Sequence, residues 1–490
     1  MGDRRSESGT ITHDLSDIDE CPTNVVSHGS LLFYLTVFGL LLGASSMGSV
    51  YGYSSPAVPS LESNSSRIHF DRKRDIDIET LIRSLPFMGS LIGSLLGGPL
   101  AGLRGRKICS IMTSLGLLAS WIVVGSSINI PMLLVGRFFN GLFTGIISAT
   151  VPNYLSEISP VRLRGTIGSL VQTSGSAGVL IVSLLGLITD WSGLAYCLAL
   201  PSLLMPIILI FSVESPVYLF NKHGYGPESL EAIKKLRTFD SEFENELRVI
   251  ARLPQSSESI LLKWAEFKMP IVYLPMIYTW IMLILNQATG IFAVISYEKE
   301  IFEMAKVPLS ADICTIILNS IGLVMTIVSS YISDKFNRKT LLFVSGVGSA
   351  IGLSGYAACF YMNTKYSWFA AQYGWLTIVA GVMYFLAFSI GWGCIPWYIG
   401  PEMSPFFARG FILSAGCFLN GLSAVIITQT FEYMTLYLSA AGTFSIYALV
   451  SVAAVCFSSY YLPETRGKSN DQILEIFNQR ALERGSLLRE

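Results

Sequence analysis

One charged pattern occurs twice in the sequence. The form E-[IM]-S-P-x-x-x-R-G begins at Glu157 and again at Glu402, and its arginines are Arg164 and Arg409. Each residue of the second copy lies 245 positions after its counterpart. A guanidinium can bind a carboxylate through two parallel N–H groups. The pattern therefore predicts charge clusters that could join the ends of neighbouring helices.

Two further landmarks repeat in the same order. Arg106 and Arg338 each precede a lysine and are 232 positions apart, while Glu214 and Glu464 are 250 positions apart. Three matched landmarks at similar spacings indicate an internal duplication. We predict that these charges tie helix ends together in one conformation and separate in another. The alternative is that they are ordinary charges at a membrane interface.

The elements that carry these charges are apolar. Of the 490 residues, 51% are hydrophobic and 14% are charged, whereas an ordinary soluble protein has about 25% charged residues. A helix needs roughly 20 mainly apolar residues to cross a bilayer. Twelve such segments lie near residues 31–55, 79–101, 108–128, 131–155, 166–189, 194–213, 269–297, 310–333, 340–362, 373–400, 410–431 and 439–461. The sequence therefore predicts an all-α integral membrane protein with twelve transmembrane helices in two pseudo-symmetric six-helix halves.

The duplication divides the chain into five parts. They are a tail at 1–30, a first half at 31–213, a linker at 214–268, a second half at 269–462 and a tail at 463–490. The linker mixes acidic and basic residues with apolar residues at helical spacing, which predicts short amphipathic helices. A flexible linker is the alternative.

Lysine and arginine determine the expected orientation in the membrane. The tails and the loops on their side carry 24 of these residues, the other side carries eight, among which we count Arg83, and Arg137 lies inside a span. The tails and the linker should therefore be cytoplasmic, which places the glycosylation sequence at Asn64 outside. An intramembrane charge such as Arg137 either has a function or extends to the surface.

Four neutral amides lie inside apolar segments, at Gln172, Asn286, Gln287 and Asn420. An amide is costly to bury without a hydrogen-bond partner. Each of them either binds a polar solute or forms hydrogen bonds between helices. Trp397 could cover such a site, or it could belong to the aromatic belt at the membrane interface.

Several longer motifs resemble the sugar porter family of the major facilitator superfamily, over nearly the whole chain. Residues 152–165 follow the family's pattern after its fourth helix, and Pro-Glu-Thr-Arg-Gly at 463–467 is close to its signature after the twelfth. Residues 287–291 and 395–397 are similar to motifs of its helices 7 and 10. Residues 52–56 are similar to the branch that contains facilitated trehalose transporters of insects and intracellular-type animal glucose transporters.

The resemblance implies a major facilitator fold and a facilitative (uniport) carrier of a hexose or a trehalose-like sugar, working by alternating access. It implies that the substrate binds to the four amides and Trp397, between the halves. It also implies that Tyr297 is a gating residue and that the repeated charges form a gating network on the cytoplasmic side.

This sequence departs from the family pattern in the seventh helix. Asn286 replaces the first of two glutamines, and Phe292 replaces a sugar-binding asparagine. We therefore expect a pocket that differs from that of an ordinary glucose carrier. Proton-driven members carry an aspartate near the position of Ser54, and the first span has no carboxylate. The resemblance thus implies passive transport.

Two other functions stay open at this stage: a non-transporting sugar sensor on the same fold, and a carrier of another small polar solute. No nucleophile–base pair, phosphate loop or metal-ligand spacing in the sequence indicates an enzyme or a cofactor. The net charge of −1 does not favour nucleic acid. The expected partners are a sugar, the lipid bilayer and a sorting adaptor that could read Leu487 and Leu488. The plasma membrane is the expected location, and an endosomal or lysosomal membrane is the alternative.

Overall fold

The computed structural model describes residues 30–63, 66–68, 76–160, 163–223, 227–237, 266–333, 335–366, 368–405 and 407–487. The predicted glycosylation site at Asn64, the first 29 residues, the linker segments 224–226 and 238–265, and Leu488 lie outside these residues. The side chain of Leu487 is not among the described ones either. The predictions that involve these positions therefore stay predictions.

The first half consists of long helices that follow one another through short connections. Side chains cap the starts of three of them: Ser30 at α1, Asn129 at α5 and Asp190 at α7 each accept a hydrogen bond from a backbone N–H. The helices are α1 (Leu31–Gly52), α2 (Ser54–Leu61), α3 (Ile76–Arg104), α4 (Arg106–Gly125), α5 (Ile130–Ile158), α6 (Arg164–Leu185) and α7 (Trp191–Ile210), followed by the short linker helices α8 (Pro216–His223) and α9 (Pro227–Leu236).

The second half begins after a short 3-10 helix at Glu266–Lys268. Its helices are α10 (Pro270–Ala288), α11 (Ile291–Ser296), α12 (Glu298–Ala305), α13 (Ala311–Ser333), α14 (Arg338–Lys365), α15 (Phe369–Tyr373), α16 (Trp375–Ile390), α17 (Ile395–Met403), α18 (Arg409–Tyr460) and α19 (Asn470–Leu487).

Eleven helical segments of the described chain are long and apolar enough to cross a membrane. The longest of them, α18, has 52 residues and would be about 78 Å long as one straight helix, more than twice the roughly 30 Å of a bilayer core. Ser439 interrupts α18 with a left-handed backbone (φ 67°), so that α18 makes two crossings. The described helices thus make twelve crossings, six in each half, and the predicted fold class is confirmed.

Glycine allows α3 and α5 to pack closely. A Cβ atom added at Gly89 would lie 2.2 Å from the carbonyl oxygen of Phe138, and one added at Gly141 would lie 2.0 Å from that of Pro86. These distances are far inside van der Waals contact, so only glycine fits. Small residues at such crossings are a common means of joining helices in membranes.

Two membrane-crossing helices are broken near the middle. Gly290, with φ 87°, separates α10 from α11, and residues 391–394 separate α16 from α17. Irregular backbone at this depth is tolerated where it faces protein or a wet cavity. The breaks therefore indicate where polar groups can be placed inside the bundle.

Each half has its own hydrophobic core. One cluster of buried apolar residues lies within 33–236, and the other lies within 274–477. We call the end of the bundle that carries residues 104–107 and 335–339 the motif face. The other end, which carries residues 76–84 and 296–306, is the opposite face.

Candidate functional site

The repeated charges of the first half form a cluster on the motif face. Nε of Arg106 lies 3.0 and 3.2 Å from the two carboxylate oxygens of Glu157, and Nη2 lies 3.0 Å from one of them. The hydroxyl of Ser215 donates to the same carboxylate. The ring of Tyr218 lies 5.2 Å from the guanidinium. This cluster joins the ends of α4, α5 and α8.

The second half contains the matching cluster. Nη2 of Arg338 lies 2.9 Å from Oε1 of Glu402, and Arg338 also donates to the carbonyl oxygen of Ser333 at 3.0 Å. The hydroxyl of Thr465 donates to the other oxygen of Glu402 at 2.6 Å. The cluster joins the ends of α13, α14 and α17 to the segment that follows α18.

The last repeated carboxylates bind helix N-termini. Glu214 accepts hydrogen bonds from the first two backbone N–H groups of α4, at 2.8 and 3.0 Å. Glu464 accepts from the first two backbone N–H groups of α14, both at 3.1 Å. The first N–H groups of a helix have no partner within the helix, and the helix dipole favours negative charge there. Both glutamates therefore stabilise the start of a membrane-crossing helix.

The repeated pattern ends in an arginine in each copy, and the structure describes the side chain of only the second one, Arg409. Arg164 is the first residue of α6, but its side chain lies outside the described part of the structure. Arg409 begins α18, and its Nη2 donates to the carbonyl oxygen of Ser404 at 3.3 Å. The structure thus brings Arg106 to Glu157 and Arg338 to Glu402, and it places Arg409 beside a main-chain oxygen.

A buried ion cluster at the opposite face was missed from the sequence. Arg83 of α3 is fully buried, and its guanidinium binds Glu300 of α12 and, at 2.9 Å, Glu79 of α3. It also donates to the carbonyl oxygen of Ser296 and lies 4.0 Å from the centre of the Tyr297 ring. Arg83, which we counted with the charges of this side, lies inside α3, which begins at Ile76. The spacing of Glu79 and Arg83, one helical turn apart, was the available signal.

The predicted gating residue Tyr297 belongs to the same region. Its ring packs against Phe431 of α18 with centroids 4.5 Å apart, and it is fully buried. Two residues before Phe431 in α18, Gln429 donates to the hydroxyl of Thr80 at 3.1 Å and accepts from that of Ser84. Contacts between α3 of the first half and α11, α12 and α18 of the second therefore close the opposite face.

Three of the four predicted amides meet where α10 packs against α18. Nε2 of Gln287 donates to Oδ1 of Asn420 at 3.1 Å, and Nδ2 of Asn420 lies 3.4 Å from Oδ1 of Asn286. Asn286 and Asn420 also donate to the carbonyl oxygens of Trp392 (2.6 Å) and Leu283 (2.9 Å), so that both join helices. Among the described residues, Oε1 of Gln287 has no hydrogen-bond partner although it is buried. That oxygen can accept a hydrogen bond from a solute.

Gln172 and Trp397 lie apart from these amides. Ser176, one turn after Gln172 on α6, lies 3.3 Å from Thr326 of the second half, hydroxyl to hydroxyl. Residues one turn apart share a helix face, so Gln172 also faces the second half, nearer the motif face. Gln172 is exposed, and Trp397 is 40% exposed. No hydrogen bond within the described chain joins either of them to the amide cluster.

An aromatic group crosses between the halves beside this cluster. Phe292 of α11 packs against Tyr51 of α1 and Phe87 of α3, with ring centroids 5.1 and 5.0 Å apart. Tyr51 and Phe87 stack on one another at 4.8 Å. The position at which the resemblance implied a sugar-binding asparagine thus contributes an apolar ring to the interface.

Arg137 is buried inside the first half and does not extend to the surface. Its guanidinium donates to Ser54 at 2.8 Å, to the carbonyl oxygens of Val50 (3.1 Å) and Ile82 (3.3 Å), and lies 4.8 Å from the Tyr53 ring. No ion pair to Arg137 is present in the described residues. The hydroxyl of Ser54 therefore occupies the place where a carboxylate could pair with this cation.

One more buried carboxylate lies between the halves. Glu298 is 2% exposed, and its Oε2 accepts from Nδ2 of Asn319 at 2.8 Å. The same Asn319 nitrogen lies 3.0 Å from the hydroxyl of Ser183 in the first half. In the described part of the chain no cation pairs with Glu298, and its Oε1 has no hydrogen-bond partner. Hydropathy did not indicate this carboxylate, because Glu298 lies just beyond the end of an apolar segment.

These features define a class of protein. Twelve crossings in two related halves, matched charges at the helix ends and polar groups at the interface of the halves form the architecture of a major facilitator transporter. A family model described as "Sugar (and other) transporter" matches residues 38–477. The chain belongs to this sugar transporter family, and the prediction of a transporter rather than an enzyme is confirmed.

Individual relatives agree with this family. The chain is 32% identical to "Sugar transporter ERD6-like 6" of Arabidopsis thaliana over 459 residues, which cover 93% of this chain and 92% of that protein. It is 30% identical to "Facilitated trehalose transporter Tret1" of Bombyx mori over 443 residues, which cover 90% of this chain and 85% of the relative. The predicted membership of the sugar porter family is therefore confirmed.

A solved structure shows the same fold. The xylose transporter XylE from E. coli, in an inward-open conformation, matches with a TM-score of 0.74. The match covers 91% of this chain and 99% of that chain, at 21% sequence identity.

Proposed function

We propose that this protein is a facilitative (uniport) transporter of a sugar, either a hexose or a trehalose-like sugar. It works by alternating access between the halves 31–213 and 269–462, which the linker 214–268 connects. The solute binds at the interface of the halves, at Gln172, Asn286, Gln287, Trp397 and Asn420.

One observation carries this proposal: side chains join the two halves at the opposite face, whereas the described charge clusters of the motif face do not. At the opposite face, Arg83 and Glu300 join the halves, and so do Gln429 and Thr80. On the motif face the described charge clusters bind within each half, and Gln172 is exposed. This arrangement is expected of a carrier that is open on one side only. Breaking the contacts at the opposite face and forming others at the motif face would reverse it.

The chemistry of the amide cluster supports a polyhydroxylated solute. Hydroxyl groups both donate and accept hydrogen bonds, and amides offer both functions in fixed directions. The buried Oε1 of Gln287 is ready to accept from such a hydroxyl. The names of the relatives, a sugar transporter and a facilitated trehalose transporter, favour the same substrate class. A carrier of another small polar solute is the second candidate, which the apolar ring of Phe292 favours.

The surroundings of Arg137 support passive transport. A carboxylate beside this cation could bind and release a proton during the cycle, but the hydroxyl of Ser54 stands there and does not ionise. We therefore assign no proton coupling to the first span. The motif face, which carries most of the basic loops, is then the cytoplasmic side.

We also propose a cellular location for the protein, with the same orientation in the membrane. We place the protein in the plasma membrane, with both termini in the cytoplasm and Asn64 outside. An endosomal or lysosomal membrane is the alternative, and Leu487 and Leu488 could direct sorting to it.

The experiment that tests the proposal is uptake of labelled glucose, fructose and trehalose into proteoliposomes that contain the purified full chain. Saturable uptake of at least one sugar is expected, and Gln172→Ala and Gln287→Ala should each reduce it about tenfold, the loss expected when one hydrogen bond to the solute is removed. Trp397→Ala should raise the KM. Uptake that all three substitutions leave unchanged would contradict the assigned site. Absence of uptake together with sugar binding would favour the sensor.

A further inference from the structure

A cavity on the motif face borders the charge cluster of the second half and is lined by none of the residues assigned to solute binding. Its volume is about 470 Å³, and its described lining residues belong to the second half and to the tail that follows it. It lies among three segments: the loop before α14, the turn between α17 and α18, and the connection from α18 to α19. Small-molecule sites in proteins have volumes of roughly 300–1,000 Å³.

Positive charge dominates the lining of this cavity. The described charged residues of its lining are four cations and one carboxylate: Arg338, Arg409, Arg466, Lys468 and Glu402. The carboxylate is already used, because Glu402 binds Arg338 at 2.9 Å and Thr465 at 2.6 Å. This carboxylate is therefore not available to Arg466 and Lys468.

Two of the cations are held at the cavity by a defined turn. Gly467, with φ 72°, lies between Arg466 and Lys468, and the backbone N–H of Lys468 donates to the carbonyl oxygen of Thr465 at 3.2 Å. The backbone N–H of Arg466 donates to Glu464 at 3.0 Å. Both side chains are exposed, and in the described residues neither forms an ion pair. The turn thus presents two available cations beside Arg338.

The duplication does not explain this cavity. In the first half, the ring of Tyr218 in α8 lies 5.2 Å from the Arg106 guanidinium, and its hydroxyl donates to the carbonyl oxygen of Leu103. The helix α8 therefore packs against the first charge cluster. The corresponding space beside the second charge cluster is open and basic.

We infer that this cavity binds a phosphate-bearing anion, either the phosphorylated headgroup of a membrane lipid or a soluble organic phosphate. Guanidinium and ammonium groups bind phosphate oxygens through charge-assisted hydrogen bonds. A bound phosphate group would contact Arg466 and Lys468 from one segment and Arg338 and Arg409 from the other two. It would thereby link the helix ends of the second half. The inference does not depend on which solute is transported.

Equilibrium binding to the purified full chain tests this inference. The soluble probe is inorganic tripolyphosphate, and the lipid probe is short-chain phosphatidylinositol 4-phosphate in detergent, compared with phosphatidylinositol of the same chain length. The double variant Arg466→Gln/Lys468→Gln should weaken binding about tenfold or more, because it removes charge-assisted hydrogen bonds. The charge-preserving variant Arg466→Lys/Lys468→Arg should restore most of the affinity.

The matched control removes two exposed cations from the motif face, Arg104 of the first half and Lys222 of the linker. Arg104→Gln/Lys222→Gln should change binding less than about twofold, since neither residue lines the cavity. Binding of tripolyphosphate would identify a soluble ligand, and binding of the lipid probe alone would identify a headgroup. Two results would overturn the inference: absence of binding by every probe, or equal losses in the cavity variant and the control.

Discussion

The guanidinium of Arg83 in α3 and the carboxylate of Glu300 in α12 form a fully buried ion pair across the two halves. Their positions are 217 residues apart in the sequence. Removing one partner of a buried pair is strongly destabilising, because the other charge then lacks its counterion in a place that water does not reach. The pair can therefore hold the opposite face closed as long as both charges are present.

We predict that Arg83→Gln opens the opposite face. Loss of one partner from a buried pair costs roughly 3–5 kcal/mol, which is enough to shift a two-state equilibrium from one side to the other. The measurement is the distance between spin labels at positions 62 and 306, one in each half. The distribution should move to longer distances. Lys365→Gln, which removes an exposed cation on the same face, should leave the distances unchanged. Unchanged distances in Arg83→Gln would show that the pair does not hold the face closed.

Asn286 and Gln287 are adjacent but should respond differently to substitution. Asn286 joins helices through the carbonyl oxygen of Trp392, so Asn286→Ala should lower stability by about 1–3 kcal/mol. Gln287 keeps an unpartnered acceptor, so Gln287→Ala should mainly reduce transport. Thermal unfolding in detergent and uptake kinetics, measured on both variants, separate the two effects. The assignment fails if Gln287→Ala is the less stable protein and transports normally once folded.

Glu214 and Glu464 should contribute equally to stability, one in each half. Each accepts from the first two backbone N–H groups of a long helix. Replacement by glutamine removes the charge from a helix N-terminus and should cost about 0.5–2 kcal/mol in each case. Thermal unfolding of the two single variants tests this. Glu475→Gln, at an exposed position of α19, is the control and should have no measurable effect. A large loss in one variant only would contradict the equivalence of the two sites.

Ser54→Asp should introduce a dependence of transport on pH. The Ser54 hydroxyl lies 2.8 Å from a guanidinium nitrogen of Arg137, so an aspartate there would form a buried ion pair. Uptake by the variant should change with external pH between about 4 and 8, while the wild-type rate should not. Ser54→Asn has nearly the same size without the charge and should behave as wild type. Equal pH profiles for the wild type and both variants would show that position 54 does not determine whether transport is coupled to protons.

The repeated motif made the helix-end charges visible in the sequence. Glu157 and Glu402 could be chosen because each copy repeats the same spacing, and the structure places each beside an arginine of its own half. The repeated spacing could not predict that Glu214 and Glu464 bind helix N-termini. This binding depends on where α7 and α18 end relative to the starts of α4 and α14, which spacing along the chain does not determine.

The ion pair at the opposite face could not be predicted from a single sequence. Hydropathy placed Arg83 at the edge of a span, and nothing local connects it with Glu300. Their contact arises only when α3 packs against α12. The same reason applies to the amides: their depth in apolar segments was visible, but which oxygen of Gln287 stays without a partner depends on how α10 meets α18.

Counterflow in proteoliposomes tests the central proposal most directly. Vesicles are loaded with unlabelled glucose, fructose or trehalose and diluted into a trace of the same labelled sugar, without an ion gradient. Passive alternating access predicts transient accumulation of the label for at least one sugar, unaffected by a protonophore and strongly reduced in Gln287→Ala. Absence of counterflow with all three sugars would contradict a carrier of these sugars. Accumulation that requires a proton gradient would contradict uniport and would make Glu298 the first residue to test.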